Sequence, residues 1–302
     1  AKPWDAYENA VETVYSSGVT GKYAFYKAPK LKEVYAYGSV MAYSYGYCDA
    51  LTDIYVVNAE VIDKTAFTVC DALANVTIEN AGAIGASSFT RKGLQKVVIN
   101  GYDSIGEWAI QLGTGSQKAP LEVSITGDGT IGGGVFAGRE LGDVTITGGK
   151  TESFFEEYKG DIYETATFYD VFWDPDATLT LNGVTLSGGC FSQGNAPASF
   201  VATDCVIGND AFANAYSAPQ NVTLVNCEVG SGAFSCYNDT YSLQSVSITG
   251  GSVGKSAFSD CNGLTQLALQ DVESIDGYAF YNTGITSLHI QGEGTQIGNA
   301  AF

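Results

Sequence analysis

The chain has 302 residues, of which 33 are acidic and 14 basic, for a formal net charge of −19, with 45% hydrophobic residues and 37 glycines. A surface of that sign repels phosphate backbones and excludes nucleic acid as a partner, while the apolar share and the glycines fit a turn-rich β architecture and exclude disorder. No apolar run approaches the roughly 18 residues of a membrane span, so no membrane insertion is expected within this chain.

Residues 3–15 read as a helix. Pro3 suits a first turn, Trp4, Tyr7, Val11, Val14 and Tyr15 make an apolar stripe, and Gly18 can terminate it. The expectation is a capping helix within 1–18 that covers the first unit of the body behind it, because an open sheet end invites aggregation.

From 19 to 302 the sequence repeats. A large residue, here called the mark, recurs at Phe25, Tyr45, Phe67, Phe89, Ile110, Phe136, Phe155, Phe191, Phe212, Phe234, Phe258, Phe280 and Phe302, most steps being 19 to 24 residues. A period of that size signals a stacked-repeat architecture. The wider steps into Phe136 and Phe191 are read as insertions, near 111–118 and 156–177. Segments such as Val76-Thr77-Ile78, Val123-Ser124-Ile125 and Val246-Ser247-Ile248 alternate apolar and polar residues, which predicts strands with one buried face. The Gly that follows a β-branched residue ahead of the mark, as in Val253-Gly254 and Ile297-Gly298, is expected to supply a backbone angle that other residues resist. One unit cannot bury both its strand face and its mark, so neighbours must share a core. The fold class predicted is an α/β repeat solenoid of about twelve units, with one parallel β-sheet and returns made by loops or short helices.

The outward strand positions change along the chain. Early units present Glu33, Tyr35 and Tyr37, then Asp53 and Tyr55, with Tyr43 and Tyr47 nearby; Tyr45 replaces Phe in the core. Tyrosine offers an apolar body with a hydroxyl at low entropic cost, which suits contact with protein or sugar. The middle units present Ser124, Thr126, Thr145, Thr147, Thr180 and Asn182, a column able to order water or glycans and equally explained by the strand preference of Thr. The longer insertion interleaves Tyr163, Tyr169 and Trp173 with Glu156, Glu164, Asp170 and Asp174, a composition suited to ligand contact on a loop. The candidate ligand-binding residues are therefore Tyr35, Tyr37, Tyr55, Tyr163, Tyr169 and Trp173. Asp174-Pro175-Asp176 lacks the spaced carboxylates of a calcium loop, and no metal ligand set is assigned.

Cys48, Cys70 and Cys261 each follow a mark by three residues, and Cys205 and Cys227 each precede one by seven. Cysteines at equal positions in adjacent units bring their Cα atoms within disulfide range but run their side chains in parallel, so reduced core thiols are expected. Asn75, Asn221 and Asn238 begin Asn-x-Thr sequons. His289 is the one histidine, and no nucleophile elbow, metalloprotease helix, phosphate loop or dinucleotide fingerprint occurs, so neither an enzyme nor a cofactor is expected.

The run Ile-Gly-x-x-Ala-Phe, followed three residues later by Cys, then by Leu and an alternating strand, is clearest at 253–269 and 275–290 and looser at 62–78. It resembles the BspA-like (Treponema pallidum type) leucine-rich repeat family of microbial cell-surface proteins. The resemblance implies a parallel-sheet solenoid, secreted or displayed at the cell surface, that adheres to proteins of a host or to neighbouring cells. The function expected is that of a non-catalytic extracellular module binding a protein or glycan through the solenoid face. The alternative is a structural subunit of a surface layer or filament that associates end to end, since the chain stops at Phe302 in mid-repeat and its native form is expected to continue.

Overall fold

The computed structural model describes residues 10–90, 92–112, 117, 119–152, 154–158, 161–213, 215–236 and 243–302, with the backbone alone for 154–158 and 161–164. The order begins with β1 (Thr13–Ser17), β2 (Glu33–Tyr37) and the ten-residue strands β3 (Asp53–Ile62), β4 (Asn75–Ile84) and β5 (Lys96–Ile105). Thereafter each unit divides into a longer strand and a two-residue strand: β6 (Leu121–Thr126) with β7 (Thr130–Ile131), and β8 (Glu140–Thr147) with β9 (Lys150–Thr151). A hairpin of β10 (Phe154–Tyr158) and β11 (Asp161–Thr165) follows, then the short β12 (Phe172–Trp173). The pattern resumes with β13 (Thr178–Asn182) and β14 (Thr185–Leu186), β15 (Ser199–Thr203) and β16 (Val206–Ile207), β17 (Asn221–Val225) and β18 (Glu228–Val229). It continues through β19 (Ser245–Thr249) and β20 (Ser252–Val253), β21 (Gln266–Gln270) and β22 (Ser274–Ile275), and β23 (Ile290–Gln291) and β24 (Gln296–Ile297). All strands but the hairpin join one parallel sheet of 22 strands. Its register is kept from unit to unit, as in Val222↔Val246↔Leu267.

The described residues contain no helix, so the fold is an all-β parallel solenoid, and the expected α/β class with short-helix returns is corrected. The reason lies in the corners. Positive φ occurs two residues before the mark, at Tyr43, Thr65, Ser87 and Ser256, and again two after it, at Tyr47, Val69, Asp260 and Asn282. A left-handed residue costs an L-amino acid about 1–2 kcal/mol and cannot continue a right-handed helix. A third such corner follows the longer strand, where Asn58, Asn80, Asp204, Asn226 and Asp271 alternate with glycines. These side chains tie adjacent units, with Asn80 Nδ2 donating to Asn58 Oδ1 at 3.2 Å and Asn226 Nδ2 to Asp204 Oδ1 at 3.2 Å.

The N-terminal capping helix is corrected too. Residues 1–9 lie outside the described residues, but Thr13, Val14 and Tyr15 form strand β1, which pairs in parallel with β2 and buries Val14. The stripe that suggested a helix contains a β-branched alternating stretch that a waiting strand edge can capture. The glycines ahead of the mark also act differently from expectation. Gly85, Gly208 and Gly254 do not have positive φ; a Cβ there would lie 2.5 Å from Lys64 N, 2.5 Å from Gly188 N and 2.6 Å from Val229 O. They are glycine because the next turn of backbone passes too close for a side chain.

The marks form an aromatic column through the core. Phe25, Tyr45, Phe67 and Phe89 stack at 5.3 to 5.4 Å, and the column from Phe136 to Phe302 stacks at 4.0 to 5.8 Å. The residue between Phe136 and Phe191 is Phe168, 5.8 Å from the first and 4.5 Å from the second, and not Phe155, which belongs to the hairpin. The hairpin is thus spliced in ahead of the mark, and residues 167–170 are the ordinary turn of the unit. The column is broken once, at Ile110. There the fully buried Arg139 extends beneath it, Nε donating to Ile110 O at 2.7 Å and Nη2 to Gln111 O at 3.1 Å and Phe89 O at 3.4 Å. Arg139 stands three residues after its mark, where Cys48 and Cys70 donate their thiols to Phe25 O and Tyr45 O, each at 3.1 Å. Burial pushes the Arg139 guanidinium down to about 9.

Five cysteines, Cys48, Cys70, Cys190, Cys205 and Cys227, are buried and reduced. Cys236 and Cys261 form a disulfide with Cα atoms 4.9 Å apart. Reduced thiols throughout were the expectation. The pair escapes the parallel-side-chain argument because Cys236 is two residues past its mark and Cys261 three, so the side chains come from unequal positions and can face each other.

Candidate functional site

Strand alternation sends every second residue outward, and the register, which shifts only between Leu121 and Val123 where β6 meets β8 among the described pairings, lines those residues up in columns. The central column on the longer strands reads Tyr15, Tyr35, Tyr55 and Thr77 across β1 to β4. Beside it lie Glu33, Asp53 and Asn75 on one side and Tyr37, Val57 and Glu79 on the other. Tyr15 and Tyr35 stack face to face at 4.8 Å, and Tyr35 and Tyr55 lie tilted at 6.2 Å. Tyr15 is 71% and Tyr37 48% exposed. The Glu33 carboxylate leads the causes that hold the Tyr35 hydroxyl above its ordinary value, and a hydrogen bond with Glu79 leads them for Tyr55. Both phenols therefore stay protonated, giving a face of aromatic rings edged with acidic side chains.

Tyr15 belongs to this site, and the helical reading hid it. The signal was present in the spacing, since Tyr15, Tyr35 and Tyr55 recur every 20 residues. A second tyrosine group occupies the corner between units. Tyr23 and Tyr43 stack at 5.3 Å, Tyr26 meets Tyr23, Tyr43 and Tyr47 edge-on, and Lys27 Nζ lies 5.4 Å from the Tyr26 ring centre.

The six candidates do not come together. Tyr35, Tyr37 and Tyr55 share the face of β2 and β3, whereas Trp173 is on β12, which pairs with β8, beyond β4, β5 and β6 in the sheet. Trp173 packs against the core, 6.1 Å from the Phe168 ring, and its indole N–H donates to Asn195 O at 2.9 Å. Tyr169 stands edge-on to Trp108 at 5.9 Å. Tyr163 lies on β11, and its side chain falls outside the described residues.

Trp173 does border a cleft of about 400 Å³, formed by Phe172, Trp173 and Pro175 against the corners at 195–198 and 217–220. Two residues before the longer strand several units place a buried leucine, as at Leu31, Leu51, Leu73, Leu94, Leu243 and Leu264. In three successive units that position holds Asp176, Pro197 and Pro219 instead. Of these, Pro197 lines the cleft.

Among the described residues no group of three or more His, Cys, Asp or Glu side chains is arranged to hold a metal ion, and no helix is long and apolar enough to cross a membrane. No curated protein and no solved structure matches the chain. The family model for the BspA type leucine-rich repeat region matches in six copies, over residues 11–111, 38–157 and 185–302. Together with the period, the parallel sheet and the stacked marks, that match settles the lineage: the chain belongs to the BspA-type leucine-rich repeat family, whose members are typically surface repeat proteins.

Proposed function

We propose that this solenoid is a non-catalytic recognition module, displayed or secreted outside the cell, which binds a protein partner through the tyrosine face of β1 to β3. The observation that carries the reading is the column Tyr15, Tyr35 and Tyr55 flanked by Glu33, Asp53 and Glu79. Aromatic faces attract cations through the ring quadrupole, and carboxylates beside them add a charge-assisted hydrogen bond, so Arg and Lys side chains of a partner are the complementary chemistry. The net charge of −19 steers such a partner toward the chain from a distance. Family membership supports the reading, since these repeats are generally non-catalytic surface proteins.

The test compares the intact chain with a Tyr35→Ser/Tyr55→Ser variant for binding to immobilised extracellular-matrix protein and to whole cells. Loss of binding with an unchanged melting curve supports the proposal. Equal binding by the two chains removes the tyrosine face as the site.

A further inference from the structure

We infer that the cleft beside β12 is a binding subsite for a neutral saccharide, separate from the tyrosine face and independent of the function proposed for it. The cleft is a built feature of the fold. β12 pairs with β8 alone, and on its other edge Asn195 N donates to Val171 O at 3.1 Å. The next donor in that direction falls at Pro197, which has no N–H, so pairing stops and the edge opens. The opening is a concavity of about 400 Å³ with Pro197 in its wall, within the range of small-molecule sites.

Its lining selects the ligand. Phe172 is 52% exposed, and Trp173 is locked at the wall by its bond to Asn195 O, so the cleft has an aromatic side held in place before any ligand arrives. The polar groups are half used by the protein itself. Asp174 Oδ1 accepts from Asp176 N at 3.2 Å, leaving Oδ2 to accept from a ligand. Asn195 Nδ2 donates to Val171 O at 3.0 Å, leaving Oδ1 as an acceptor. Ser217 Oγ accepts from Ala196 N at 2.9 Å, leaving its O–H to donate, and the exposed Gln220 amide offers both roles.

A ligand that answers this set must both donate and accept, and must carry an apolar face for the aromatic wall. A sugar ring does so, with hydroxyls around its rim and C–H bonds on its face. An anion is disfavoured, because the acidic Asp174 lines the cleft and no Lys or Arg does. A wholly apolar ligand would strand the polar groups without partners.

Calorimetry and saturation-transfer NMR on the intact chain, with cellobiose, maltose and lactose as neutral probes, glucuronate as the anionic one and a tetraproline peptide as the apolar one, test the assignment. The expected result is saturable binding of at least one neutral disaccharide, weakened about tenfold or more by Phe172→Ala and about threefold by Gln220→Ala, with both variants melting as the wild type does. Phe172→Ala is also expected to leave binding through Tyr35 and Tyr55 unaltered, which separates failure of this cleft from failure of that face. Absence of saturable binding by all three disaccharides, equal affinity in the Phe172→Ala chain, or preference for glucuronate or the peptide would each overturn it.

Discussion

On β1 to β3 the central outward column carries Tyr15, Tyr35 and Tyr55; on β8 to β19 the same column, in the same register, carries Thr145, Thr180, Val201, Thr223 and Ser247. The interior beneath does not change in kind: Val14, Val34 and Ile54 in the first region answer to Val144, Leu179 and Val222 in the second, all buried. The outward residues are therefore released from specifying the fold, which the inner column and the stacked marks already do. The first region uses that freedom for aromatic rings and carboxylates, and the second for hydroxyls and methyls. The chemistry open to solvent varies on the outer columns, while the inner ones hold the fold.

The comparison breaks most severely if the interior is emptied. Phe212→Ala, in the hydroxyl region, removes a ring stacked between Phe191 and Phe234 and is expected to destabilise by about 3–5 kcal/mol in chemical denaturation. Because each unit rests only on its neighbours, unfolding of that variant is expected to separate into two transitions, with the tyrosine region surviving longer.

Next in size is the junction of the two regions. Arg139→Ala leaves the carbonyls of Phe89, Ile110 and Gln111 without their donor and opens a cavity, for an expected loss of about 3 kcal/mol. Arg139→Met fills most of the space and tests the charge alone. Burial lowers the folded-state value to about 9, so between about 9 and the ordinary guanidinium value the unfolded chain holds the proton that the folded chain releases. Stability from this group therefore rises with pH across that window, and the wild type should gain on Arg139→Met as pH rises above about 9.

Smaller effects sharpen the contrast of the outer faces. Tyr35→Ser/Tyr55→Ser should change stability by no more than about 1 kcal/mol while removing partner binding, and Thr145→Val/Thr223→Val should alter neither. Equal effects of the two double variants on binding would erase the distinction between the regions.

The smallest effect lies at Tyr102 on β5, whose buried hydroxyl has no hydrogen-bond partner among the described residues and whose ring packs against Gly127. Burial, with a lesser contribution from Asp128, pushes Tyr102 up to about 12. The folded chain thus keeps a proton that the unfolded chain loses from about 10 upward, and stability falls as pH rises from about 10 to about 12. Tyr102→Phe should match or exceed the wild type at pH 7 by up to about 1 kcal/mol and lose less across that alkaline window, as read from melting curves at each pH.

Much of the fold was legible because its determinants are local and periodic. The alternation in Val246-Ser247-Ile248 and the recurrence of Phe234, Phe258 and Phe280 follow from a core that every unit must help to build. The failures fall where a local pattern admits two partners. Phe155 and Phe168 are both aromatic and both plausibly spaced, and only the stack between Phe136 and Phe191 chooses Phe168. Tyr15 sits in a stretch compatible with a helix stripe and with a strand, and pairing with Tyr35 decides for the strand. Of the candidate site, Tyr35, Tyr37 and Tyr55 were readable from outward alternation, whereas the cleft was not, because it arises where β12 meets the corners at Asn195 to Ala198 and at Ser217, far apart in the chain.

By itself, then, the amino-acid order determined the repeat, the inward and outward sets on each strand, the acidic surface and the family. Tertiary structure decided the all-β return, the place of the hairpin, the disulfide between Cys236 and Cys261 and the concavity beside Trp173. The physical reason is one of range. Alternation and period are written in neighbouring residues, whereas a left-handed corner, a ring stack or a cleft depends on which backbone lies one turn of the solenoid away and how closely it approaches.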